Sequence, residues 1–277
     1  MIGSVRAELL RLVRWPVTWV VTGVWLALNV MFGYVFDYLG YRDAVSGGDT
    51  RAAAELLAQI SPAGVPATMT QGLPLFGGAL VLVLAALSTG NGYGWNTWKT
   101  VFTQGPSRLA VFGGTMAALA VILVGIVVLS LVVDLTASVV VATAESQPLA
   151  WPGVGEFAEG LGGALLIAGM WAAAGAMLGV VARGPALSAG LGLIWVLVVE
   201  NLLRGVSNLL GALEPVTDYL PGTAAGSLAG AIGGADGAGV APGVVTILSG
   251  PAATGLLAGY AIGFTLLAGF LMARRDA

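Results

Sequence analysis

Residues 109–133 read LAVFGGTMAALAVILVGIVVLSLVV, an uncharged run bounded by Arg108 and Asp134. A helix needs about 20 apolar residues to cross the roughly 30 Å hydrocarbon core of a bilayer, so this stretch reads as a transmembrane helix. Working outward from it, comparable runs occur near 16–37, 73–90, 160–182, 186–203 and 252–273. The fold class predicted is an all-α membrane protein with six transmembrane helices, because in lipid a helix satisfies its own backbone polar groups.

Composition supports the reading. The 277 residues are 57% apolar and only 9% charged, with a mean hydropathy of +0.93. A soluble core could not cover that much apolar surface. The net charge of −3 gives no basic surface for a nucleic acid, and none is expected as a partner. Membrane lipid is the expected surroundings.

Orientation follows from the basic residues, which short cytoplasmic loops retain. Arg6, Arg11 and Arg14 precede the first span, Lys99 and Arg108 lie between the second and third, Arg183 lies between the fourth and fifth, and Arg274 and Arg275 follow the sixth. The opposite loops hold only Arg42, Arg51 and Arg204, beside most of the acids. Both termini are therefore expected in the cytoplasm, and residues 1–277 form a single transmembrane domain.

Within that domain, residues 1–14 place Ile2, Val5, Leu9, Leu12 and Val13 opposite Ser4, Glu8, Arg11 and Arg14, which predicts an interfacial amphipathic elbow helix. The apolar run after it is too long for a cleaved signal sequence and is read as a retained span. Asp49 is placed to cap a short helix over 50–58. Residues 204–251, rich in Gly, Ala and Pro, form either a re-entrant segment that dips into the membrane before the last span or a flexible outer loop. Gly175 and Gly179, and Gly255, Gly259 and Gly263, are spaced for close helix packing.

The chain has no Cys and no His. That removes thiol chemistry, the usual zinc ligands and the commonest general base, so neither an enzyme nor a metal centre is expected, and no cofactor is expected on this chain. Asp37, Asp134 and Glu200 are costly in hydrocarbon but count toward the outer ends of their predicted spans, where water or headgroups would solvate them. Glu200 stands four residues before Arg204, the order that favours a helical ion pair. Asn29, mid-span, is suited to an interhelical hydrogen bond or to lining a path. Asn29, Glu200 and Asn201 are the candidates for a translocation path or gate.

The cytoplasmic connection at 91–108 is the most distinctive segment. Its core, Gly92 to Arg108, reads GYGWNTWKTVFTQGPSR: a short helix, rich in aromatic residues, stopped by Gly105 and Pro106. Aromatic side chains there suit a partner's groove. In Thr97, Lys99, Thr100, Val101, Phe102, Pro106, Ser107 and Arg108 the segment resembles the coupling loop of six-span ABC-2 type permeases, while Gly92, Gly94 and Asn96 depart from that pattern. The elbow helix and the long connection before the last span are similar to that family's architecture as well.

The resemblance implies a permease subunit of an ATP-driven exporter in a bacterial cell membrane. It implies that Trp95, Thr97, Trp98, Lys99, Thr100, Phe102, Pro106, Ser107 and Arg108 dock on separate ATP-binding cassette subunits, which would hold the ATP and Mg. It further implies a second permease copy, identical or a close paralogue, completing a path for an amphipathic or apolar cargo such as a drug or lipid. Independently, the only lysine, Lys99, follows Asn96-Thr97-Trp98, so the chain lacks the glycine-rich phosphate-cradling loop and cannot bind ATP in that manner. The alternative is an ion-driven secondary transporter, which would place coupling carboxylates or broken helices near the midplane.

Overall fold

The structure, a computed structural model, describes residues 2–94, 97–103, 105, 107–210, 214–234 and 241–274. Among them there is no strand. Besides a single helical turn at Glu214–Thr217, the described residues form ten helices: α1 (Ile2–Arg14), α2 (Pro16–Gly47), α3 (Thr50–Gln59), α4 (Pro62–Tyr93), α5 (Thr97–Thr103), α6 (Arg108–Ala144), α7 (Val154–Ala182), α8 (Pro185–Ser207), α9 (Pro221–Gly233) and α10 (Gly250–Arg274). Six of them, α2, α4, α6, α7, α8 and α10, are long and apolar enough to cross a membrane.

Two of the expected spans were too short at their C-terminal ends. The helix predicted over 16–37 continues to Gly47, and the one predicted over 109–133 continues to Ala144. With 37 residues, α6 extends about 55 Å at 1.5 Å per residue, well beyond the hydrocarbon. Asp134 thus sits inside a helix rather than at its end.

The centre of the bundle is the α4–α7 pair. In each, 67% of the apolar window is buried, against 22–33% in the other four spans. Small residues explain the contact: Gly175 of α7 lies against the Leu82 carbonyl of α4, and Gly179 against the Ala86 carbonyl and the Thr89 hydroxyl, so a Cβ at either position would collide. Thr89 Oγ1 also donates to the Ala176 carbonyl at 3.3 Å. By contrast, a Cβ at Gly255, Gly259 or Gly263 of α10 would meet nothing within 4 Å among the described residues, so their spacing serves no close packing there.

Elbow helix α1 bends into α2 at Trp15, whose extended backbone precedes Pro16. Its polar stripe does not simply face water. Ser4 packs on Gly114 of α6 and Arg11 donates to the Ser88 carbonyl of α4 at 3.0 Å, while Leu10 and Val13 are exposed. In an apolar solvent this reversal is reasonable, since polar side chains find partners only on the protein. As expected, Asp49 caps α3, its carboxylate accepting from the Ala52 amide at 3.0 Å.

Between α8 and α10 lies α9, a 13-residue helix about 20 Å long, buried from Pro221 to Gly230. Its Gly, Ala and Ser side chains are thin enough to fit among α4, α7 and α10. The returning chain is tied back onto it: Val245 N donates to the Gly226 carbonyl at 3.2 Å and Leu248 N to Ser227 Oγ at 3.1 Å. The segment is therefore a packed helix with a bonded return.

Three spans contain a wider π turn, at Met31–Val35 in α2, Leu73–Gly77 in α4 and Trp195–Val199 in α8. Pro74 accounts for the second, because it lacks an N–H and crowds the preceding turn. In the third, Asn201 Nδ2 donates to the carbonyls of Val196 and Leu197 at 3.2 and 3.1 Å, satisfying groups the irregular turn frees.

The α4–α7 seam gives a direct test. Gly175→Leu is expected to destabilise the protein by about 1–3 kcal/mol through overpacking. Gly259→Leu, which faces open space, should leave stability unchanged. Thermal unfolding in mild detergent measures both, and equal effects would show that the seam does not limit stability.

Candidate functional site

Helices α2 and α6 run in the same direction and are joined by a ladder of polar side chains. Trp25 Nε1 donates to Ser130 Oγ at 2.7 Å and, one turn on, Asn29 Nδ2 donates to Asp134 Oδ1 at 2.6 Å. Tyr34, carried by the π turn of α2, donates its hydroxyl to the Asp134 backbone carbonyl at 3.0 Å. Asp134 is 0% exposed, and its Oδ2 has no partner. The expectation that water or headgroups solvate Asp134 is thus corrected: helix continuation places it against α2. Asn29 takes the interhelical role.

Beyond the ladder, Tyr38 and Tyr41 donate to Glu145 Oε1 and Oε2 at 2.7 and 2.9 Å. These two hydroxyls, with a smaller contribution from Arg42, hold the Glu145 carboxyl below its ordinary value. Asp37 is half-buried on α2.

A second buried carboxylate, Glu200, is 1% exposed. The π turn of α8 swings Trp195 under it, so that Trp195 Nε1 donates to Glu200 Oε1 at 2.8 Å. The Gly222 amide, in the first turn of α9, donates to the same carboxylate. Gly222 has to be glycine here, because a Cβ would overlap Glu200 Oε2. A carboxylate at a helix N-terminus meets free amides and the positive end of the dipole. The expected ion pair with Arg204 is not formed: Arg204 donates instead to Asn201 Oδ1 at 2.8 Å. Glu200 is therefore a clasp between α8 and α9 rather than a partner of Arg204, and Asn201 bonds within its own helix.

At the opposite, basic end, α5 lies beneath the bundle. Trp98 is 4% exposed, stacks on Phe102 and meets Tyr93 edge-on, and packs with Val111, Phe112, Val180, Ala268 and Met272 from α6, α7 and α10. Its indole donates to the Thr89 carbonyl of α4 at 3.4 Å. The expectation that Trp98 faces a partner's groove is corrected: it anchors α5 to its own bundle. Thr100 is exposed and Phe102 half-buried. Ser107 Oγ caps α6 by accepting from the Ala110 amide at 3.2 Å, and the Arg108 guanidinium lies 5.5 Å from the Phe102 ring centroid. Trp95 and Pro106 lie outside the described residues, as do the side chains of Thr97 and Lys99.

Among the described residues, two of the cavities lie between spans. One, about 570 Å³, lies between α8 and α10 above α4 and α7 and is lined mainly by apolar and aromatic side chains. The other, a cleft of about 920 Å³ among α7, α9 and α10, has Glu159 at its edge. Among the described residues no three carboxylates converge to hold a metal ion. Comparison of the chain with protein-family models and with curated proteins finds no match.

Sequence reasoning singled out Asn29, Asp134 and Glu200 but not what they meet. Ser130 and Trp25 gave no signal, because one serine or tryptophan in an apolar run is unremarkable until the register of α2 on α6 is known. Asn29→Ala should lower stability by about 1–3 kcal/mol by leaving Asp134 without its donor, and Asn29→Leu combined with Asp134→Leu should lose less than the two single changes summed. Chemical or thermal unfolding of the four proteins completes that cycle, and strict additivity would remove the pair from the account.

The sign for Glu145 is also fixed. Its lowered value means that the tyrosine contacts contribute stability above the unfolded carboxyl value, about 4.3, which is lost as pH falls through the folded one. The stability difference between the protein and Glu145→Gln should therefore be flat near neutral pH and shrink in acid. A difference independent of pH would contradict the assignment.

Proposed function

We propose that this chain is the membrane-spanning permease subunit of an ATP-driven exporter of the ABC-2 type. Separate ATP-binding cassette subunits supply the ATP hydrolysis, and a second permease copy completes the path for an amphipathic or apolar cargo. The observation that carries this reading is α5, a short helix between the second and third spans pinned by Trp98 to the ends of four spans at the basic end. Closure of an ATPase against its exposed face would push α4, α6, α7 and α10 together. The push matters only insofar as nucleotide binds the two states of the assembly differently. Elbow helix α1, tied to the same end of α4 through Arg11, agrees with this arrangement, as does the missing phosphate-binding loop. In this reading the basic end is cytoplasmic, and α9 enters the bilayer from the outer face and returns.

The buried carboxylates Asp134 and Glu200, each beside a π turn, favour a second reading as an ion-driven transporter. One experiment separates the two. The tagged full-length chain, taken from its native cells in mild detergent, is expected to bring down a soluble ATP-binding subunit and ATPase activity. Trp98→Ala should insert normally yet lower transport per ATP several-fold. An isolated membrane protein with no nucleotide-binding partner, reproducible across detergents, would overturn the exporter reading in favour of ion coupling.

A further inference from the structure

The crevice between α8 and α10 is a gap between two spans. Its floor is Leu82 of α4 with Trp171 and Met177 of α7, and its walls are Trp195 of α8 and Tyr260 and Phe264 of α10. Leu220 and Pro221, where α9 begins, close one end. Its volume of about 570 Å³ falls within the 300–1,000 Å³ or so usual for small-molecule sites.

Two polar side-chain atoms around the crevice are committed elsewhere, the Trp195 indole donating to Glu200 and the Tyr260 hydroxyl to the Tyr219 carbonyl at 2.8 Å, while the Trp171 indole nitrogen, without a partner, is buried against Gly78. Little is left to recognise a hydrogen-bonding ligand or to hold water, which needs two to four polar partners. The lining is itself open to the outside: Leu191 and Trp195 on α8 are exposed, and Tyr260 and Phe264 on α10 are half-buried. In a chain with six helices long and apolar enough to cross a membrane, an apolar opening between two of them faces hydrocarbon, so the crevice is continuous with the lipid-facing surface. The walls are rigid, since Tyr260 stacks on Phe264 at 5.5 Å and Trp195 is fixed by the Glu200 clasp.

We propose that this crevice is a binding site for a single hydrocarbon chain, the acyl tail of a lipid or lipid-like molecule entering sideways from the bilayer between α8 and α10. The site needs only the membrane character of the chain and stands or falls independently of the exporter reading.

The test uses the full chain, without any ATPase, in phosphatidylcholine vesicles containing a lipid whose acyl tail carries a diazirine. After irradiation, residue-level mass spectrometry should find adducts on Trp195, Tyr260 and Phe264 several-fold above those on Val121 and Val128, which are exposed and apolar on α6. Ala174 of α7 also lines the floor, and Ala174→Phe, which fills it, should abolish that excess and leave labelling of α6 intact. Met177→Phe, a milder change on the same floor, does the same if the first variant fails to fold. Labelling of the crevice no greater than that of α6 would overturn the proposal and leave the space to solvent or a second copy. An excess that persists in both folded variants would overturn it equally.

Discussion

Two helices can approach closely only where no side chain keeps them apart, and the bundle depends on that at the α4–α7 seam. Lipid tails are as apolar as leucine, so hydrophobic burial gives little drive to associate spans, and dispersion at short range has to serve. Gly175 and Gly179 bring α7 onto the carbonyls of Leu82 and Ala86. The pair becomes a wall on which the remaining spans lean. Because α8 packs on α4 and α7, and α10 on α7 and α9, those two outer spans are held by the wall rather than by each other, and a crevice remains between them.

Where packing is thinner, polar bonds supply the specificity. Helix α2 has few buried residues, yet its register on α6 is fixed by Trp25 on Ser130 and Asn29 on Asp134. In hydrocarbon a slipped register would leave those groups unpaired, which costs more than the bonds themselves contribute. Glu200 does the same for α9: a short helix buried in protein needs its first amides satisfied, and a carboxylate from the neighbouring span satisfies one. The two buried acids are thus each matched to a structural need, and the π turns at Tyr34 and Trp195 bring the donors within reach.

Hydropathy made the six spans legible, and basic residues marked one end of the bundle, because both signals are carried by composition alone. The C-terminal ends of two spans were misjudged for a specific reason. Asp37 and Asp134 looked like the limits of hydrocarbon, whereas α2 and α6 continue past them as a bonded pair through Tyr38, Tyr41 and Glu145. Glu200 was assigned to Arg204 by the four-residue rule of a regular helix, but a π turn breaks that regularity and a distant segment supplies the competing donor. Trp98 shows the same limit. Its aromatic character was evident from sequence, but whether it turned outward to a partner or inward to α4 depended on contacts with α7 and α10, which lie far along the chain.

That inward turn changes where motion in α5 would be felt. A tryptophan resting on α4, α6, α7 and α10 at once cannot move one of them alone. The glycine seam makes α4 and α7 a single body and Trp98 ties α10 to it, so a push on α5 displaces these spans relative to α8, which lies across the crevice and outside the Trp98 cluster. Under the exporter reading, the space that widens or narrows with each stroke is then bounded by Trp195 on one side and Tyr260 on the other, and the Glu200 clasp lies beside it. A carboxylate bonded to both α8 and α9 would resist separation of those elements, which makes the clasp the stiffest joint next to the most yielding gap.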